Sequence, residues 1–101
     1  MAVTFNTLML NPMDSVAIAL ERIPAGESIT VRCESVTYSV QMKSVIEFGH
    51  KFALKNIDRG QNILKYGEII GKASASIEAG EHVHVHNLEG TRGRGDIIDA
   101  V

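Results

Sequence analysis

A second cysteine is missing from this sequence, so Cys33 has no partner within the chain and the fold must hold without a disulfide. That absence fits a reducing, cytoplasmic setting, and with no basic cluster beside it Cys33 reads as a packed side chain rather than a reactive thiol. An excess of one charge is missing too. Ten basic residues stand against 12 acidic ones, a formal charge of -2, which leaves neither nucleic acid nor an anionic membrane an electrostatic footprint to bind. No run reaches the roughly 18 apolar residues of a membrane helix. The start lacks the basic-then-apolar pattern of a signal peptide. No apolar stripe at helical spacing persists for three turns, which removes the usual signature of a helix packed on a core.

What remains is alternation and turns. The 101 residues make one domain, 1–101, large enough to bury a core unaided, and 45% of them are apolar. In Val36-Thr37-Tyr38-Ser39-Val40-Gln41-Met42, four apolar residues point one way and three polar residues the other, which predicts a half-buried strand. His82-Val83-His84-Val85-His86 alternates in the same way, predicting a strand with valines on one face and imidazoles on the other. Shorter apolar runs at 16–20, 51–54, 61–64 and 68–70 are further strand candidates. Asp14 is placed to cap a short helix over 15–22, and the same stretch reads equally well as a strand.

A degenerate unit occurs as Ile23-Pro-Ala-Gly26-Glu-Ser-Ile29, Ile57-Asp-Arg-Gly60-Gln-Asn-Ile63 and Ile77-Glu-Ala-Gly80-Glu-His-Val83. Each is an apolar anchor, a turn on glycine and an apolar return. The spacing between units is unequal, so they do not stack as a solenoid, whose repeats need a fixed period. They predict the turns of a compact all-β domain.

Four ordered motifs carry a resemblance to a known family: Phe48-Gly49-His50-Lys51-Phe52-Ala53-Leu54, then Ile57 and Gly60, then Lys65-Tyr66-Gly67-Glu68 with Ile70-Gly71, then His84-Val85-His86-Asn87. Over about residues 10–90 the chain resembles the N-terminal domain of altronate and galactarate dehydratases, and is similar to the small subunit of the sulfolactate sulfo-lyases. The resemblance implies a small β-clip fold, also called an SAF domain. In the full dehydratases a much larger catalytic region follows, so residues 91–101 are expected to lead toward such a partner. The segment 33–46 departs from the family pattern, which leaves the substrate's identity open.

The chemistry implied by the resemblance is elimination of water, or of sulfite, from a hydroxylated carboxylic acid. Such a reaction needs a base for the proton beside the carboxylate, help for the leaving group and positive charge for the anion. His50 and Lys51 are the catalytic candidates, since both side chains of the Gly-His-Lys motif can meet an anion; otherwise the motif is a solvated polar turn. Lys65 and Tyr66 are substrate-binding candidates, provided Gly67 bends the chain so that both face one ligand. Asn87 joins them at the end of the histidine row, and Arg92 as a guanidinium able to clamp a carboxylate, unless 91–96 is simply an exit segment. His84 and His86 are expected to hold a divalent metal, iron or manganese, shared with the partner, or else the substrate carboxylate. His82 falls outside the family motif and reads as the solvated member of the row.

The leading expectation is therefore a lyase component, inactive alone, that works with a larger catalytic subunit or domain on a sugar acid. A non-catalytic module that binds a sugar acid or a protein, and a purely structural subunit, remain the alternatives. The sequence leaves the hydroxy acid, the metal and any homo-oligomer undetermined.

Overall fold

The computed structural model describes residues 5–90, and among them there is no helix. Nine strands run in order: β1 (Thr7–Leu8), β2 (Val16–Ala19), β3 (Ser28–Cys33), β4 (Val36–Gln41), β5 (Lys51–Ala53), β6 (Asn62–Lys65), β7 (Glu68–Ala73), β8 (His82–Val83) and β9 (Leu88–Gly90). All pairings are antiparallel and give a four-stranded sheet β1-β2-β5-β8, the hairpin β3-β4 and the sheet β6-β7-β9. The all-β expectation holds. No helix of the described residues is long and apolar enough to cross a membrane.

The four-stranded sheet is covered on both faces, which explains why every residue of β2 is buried. Alternation sends Ala17, Ala19 and Phe52 into one core with Ile29, Val31, Val40 and Met42 of the β3-β4 hairpin. It sends Val16, Ala53 and Val83 into a second core with Ile63 and Ala73 of the β6-β7 hairpin. Burial on two sides at period two makes a strand of Val16–Ala19, and the rest of 15–22 is neither helix nor strand. Asp14 caps nothing helical; its carboxylate accepts from the backbone N–H groups of Gly67 and Asn11.

The two hairpins are built alike. Ile23 and Ile46 exchange backbone hydrogen bonds beneath β3-β4, and Ile57 and Ile77 do the same beneath β6-β7. Gly26 N–H donates to Met42 and Met42 N–H to Glu27, just as Gly60 donates to Ala73 and Ala73 to Gln61. Ile46-Glu-Phe-Gly49-His-Lys-Phe52 is thus a fourth copy of the anchor–turn–return unit, beyond the three read from sequence. Its glycine has φ +86°, beside +91°, +90° and +92° at Gly26, Gly60 and Gly80. Gly80 is the most constrained, because a Cβ there would collide with the carbonyl of Gln41.

The histidine row is where the structure departs from the alternation read in the sequence. The strand ends at Val83, and residues 84–87 form a turn in which Asn87 and Leu88 N–H both donate to the His84 carbonyl, at 3.0 and 2.8 Å. Val83 is fully buried while Val85 is 78% exposed, so the two valines do not share a core face. A turn wins because Asn87 closes it with its side chain as well.

Candidate functional site

The candidate residues fall into two adjoining sets. In the first, the turn on Gly49 delivers His50 to the edge of the four-stranded sheet, where Phe52 of β5 pairs with His82 of β8. His50 Nδ1 lies 3.0 Å from His82 Nε2, a hydrogen bond when one of the two nitrogens carries the proton. The rings stack: His50 on His82 at 5.0 Å and 18°, His50 on His84 at 6.0 Å and 23°, and His82 on His84 at 5.6 Å and 15°. His86 adds a tilted contact to His82 at 5.6 Å. His82, set aside in the sequence, touches all three other rings. Its neighbours in the chain gave no sign of this, because the central position comes from pairing with β5, 30 residues away in the sequence.

Burial pushes the His82 imidazole below its ordinary pKa, and His50, His84, His86 and Lys51 push it further the same way. The ion pairs Arg22–Glu47 and Lys43–Glu78 do not touch this stack. A neutral His82 suits the contact with His50, since a neutral ring offers one donor nitrogen and one acceptor nitrogen.

The turn that carries His84 and His86 is fixed by Asn87. Its Oδ1 accepts from His84 N–H at 3.0 Å and its Nδ2 donates to the His82 carbonyl at 2.9 Å. Asn87 is 6% exposed. With both ends of its amide committed to backbone, it serves the histidine turn rather than a ligand, and it orients no imidazole directly.

The second set centres on Lys51, half-buried on β5. Burial holds its ammonium below the ordinary lysine range, and the charge of Lys65 adds to this. Lys65 ends β6, and its Nζ lies 5.0 Å from the centre of the Tyr66 ring. The two meet because Tyr66 and Gly67 are both left-handed, at φ +56° and +80°, making the tight two-residue turn that Gly67 was expected to permit. His50 and Lys51 are adjacent in sequence; His50 lies among the rings, and Lys51 lies within electrostatic reach of both His82 and Lys65. Arg92 and the exit segment 91–101 lie outside the described residues.

Among the described residues no group of three or more His, Cys, Asp or Glu side chains is arranged to hold an ion. Near-parallel rings carry their nitrogens in stacked planes, whereas a metal centre needs lone pairs converging on one point. One cleft, lined by Met13, Ser15, Lys55, Ile57, Gln61, Asn62 and Leu64, contains none of the candidate residues.

A doubly covered antiparallel sheet with stacked imidazoles at its edge defines a small all-β domain. Residues 5–91 match the family described as the altronate/galactarate dehydratase SAF domain, and the chain belongs to that family. The matched span encloses residues 33–46, the stretch that departs from the motif pattern. The chain is 41% identical over 80 residues to an altronate dehydratase of Escherichia coli (strain K12), covering 79% of this chain and 15% of that protein. It is 41% identical over 82 residues to the altronate dehydratase of Bacillus subtilis (strain 168), covering 81% of this chain and 16% of that one. It is also 35% identical over 77 residues to the alpha subunit of a (2R)-sulfolactate sulfo-lyase of Chromohalobacter salexigens, covering 74% of this chain and 82% of that subunit. The chain thus spans about a sixth of the dehydratases it matches and most of the sulfo-lyase subunit.

Proposed function

We propose that this chain is the small component of a lyase that eliminates water or sulfite from a hydroxylated carboxylic acid, acting with a larger catalytic polypeptide. The observation that carries this reading is the pair of length matches: the same unit is a fraction of one lyase and nearly the whole of another lyase's subunit. In this reading the domain supplies one wall of a site in the cytoplasm, and the partner supplies the rest.

Lys51 and Lys65 hold the substrate's anionic end, with Tyr66 beside them, because two ammonium groups forced together relieve their repulsion by taking up a carboxylate or sulfonate. His50 takes the proton next to the carboxylate: with its Nδ1–H directed at His82 Nε2, its Nε2 carries the free lone pair. The C–H electrons become the new C=C bond as the C–O or C–S bond breaks, and the proton taken by His50 is passed to the departing hydroxide, which leaves as water, while a sulfonate leaves as sulfite. His84 and His86 face the partner with the exposed Phe48 and Val85, the apolar side chains on the two turns that carry the histidines. A metal held by His84 and His86 would need further ligands from the partner, and none of these steps runs through one.

The test is reconstitution. The purified chain, a large dehydratase- or sulfo-lyase-type polypeptide, and their mixture are assayed with altronate, galactarate and (2R)-sulfolactate. Turnover by the mixture but by neither part is the expected result. Full activity of either part alone contradicts the proposal.

A further inference from the structure

Lys65 sits at the tip of the β6-β7 hairpin, which is held by its own pairing, Lys65 opposite Glu68, and also by contacts from residues 11–15. The register of this hairpin shifts between Ile63, opposite Gly71, and Leu64, which faces Ile69. Its backbone is satisfied from elsewhere: Leu64 N–H donates to Ser15 Oγ at 3.2 Å, and the Leu64 carbonyl accepts from Ser15 N–H at 3.0 Å. At the tip, Gly67 N–H donates to Asp14 Oδ1 at 2.8 Å, while Asp14 Oδ2 accepts from Asn11 N–H at 3.2 Å. Asp14 is fully buried and Ser15 nearly so. The approach is close, since a Cβ on Gly67 would meet the Asn11 amide at 2.7 Å.

A buried carboxylate is costly unless its oxygens are satisfied, and this one spends both on backbone N–H groups of two loops. Neither oxygen is given to a helix cap or an ion pair. We infer that Asp14, seconded by Ser15, is a positioning residue that clamps the Lys65-Tyr66-Gly67 tip against residues 11–15 and so fixes Lys65, the partner of Lys51 in the proposed anion-holding pair. This inference rests on the anion-holding role proposed above for that lysine pair.

The experiment uses the full chain with inorganic sulfate as the probe, following the Lys51 and Lys65 ammonium groups by heteronuclear NMR. Asp14→Ala frees the tip, so the Lys51 pKa should rise as Lys65 moves away, and sulfate should bind about three- to tenfold more weakly. Asp14→Asn keeps an oxygen for Gly67 N–H and should retain both properties. A clamp that serves stability alone would lower the melting temperature of Asp14→Ala and leave Lys51 and sulfate unchanged, which overturns the inference. Asn behaving like Ala would assign the effect to charge and overturn it as well. Should Asp14→Ala not fold, Ser15→Ala, which removes only the acceptor for Leu64 N–H, takes its place with the same outcomes. A wild-type chain indifferent to sulfate would sink the anion-holding role, while the Lys51 titration would still decide the clamp.

Discussion

His50 Nδ1 lies 3.0 Å from His82 Nε2 across 32 positions of sequence, joining the turn after β4 to the last strand of the central sheet. The contact places His82 at the middle of four imidazoles and ties the candidate base to a ring held neutral by burial and by its neighbours. Replacing His82 with alanine should therefore lower turnover in the reconstituted complex by about 10-fold or more, the scale of a misaligned general base. Wild-type activity in that variant would detach His82 from the site.

The same depressed pKa predicts a pH dependence of stability. Between the folded and unfolded values the unfolded chain binds more protons at His82, so stability rises with pH through that window. The contribution is complete above the unfolded value of about 6.5 and is lost as pH falls toward the lowered folded value. Melting temperatures of the wild type and His82→Gln between pH 5 and 8 should show a shallower slope for the variant. Parallel curves would contradict the cause assigned here.

Gly26 and Gly80 hold equivalent turns at nearly the same φ, but only Gly80 has backbone against the place a side chain would fill. Gly26→Ala should cost about 1–2 kcal/mol, the strain of a left-handed alanine. Gly80→Ala adds the collision with the Gln41 carbonyl and should cost more than about 3 kcal/mol. Chemical denaturation of the two variants measures the difference, and equal losses would refute the packing argument.

The turns and most strands were legible because the signals were local. Alternation from Val36 to Met42 and the three isoleucine–glycine units read directly as elements of the fold. The fourth unit, around Gly49, escaped because its His50 and Lys51 drew a chemical reading that hid a structural one. The histidine row failed differently. Alternation is only a prior for strand, and Asn87, with its amide bonded to the His84 N–H and the His82 carbonyl, curls the last three positions into a turn. Within the candidate site, Lys65 and Tyr66 were readable from the glycine that follows them. The centrality of His82 and the clamp by Asp14 were not, since both arise from pairings 30 or more residues apart in sequence.

Asn87 gives a further check. Asn87→Ala leaves His84 N–H and the His82 carbonyl without their side-chain partner at the one buried position of an otherwise exposed turn, a loss of about 1–2 kcal/mol. Hydrogen exchange at the His84 amide should accelerate, and unchanged protection would contradict the role of Asn87 as the brace of the turn.

The central claim is that the basic face serves a reaction completed by a larger partner, and His84 and His86 test it most directly. Both lie in a turn outside the two cores, so replacing them together with alanine should leave stability within about 0.5 kcal/mol of wild type. Turnover of the sugar or sulfo acid by the double variant mixed with the large polypeptide is the measurement. The account predicts that it is abolished while the complex still forms. Full turnover by the double variant would make the histidine face a solvated surface and contradict the account.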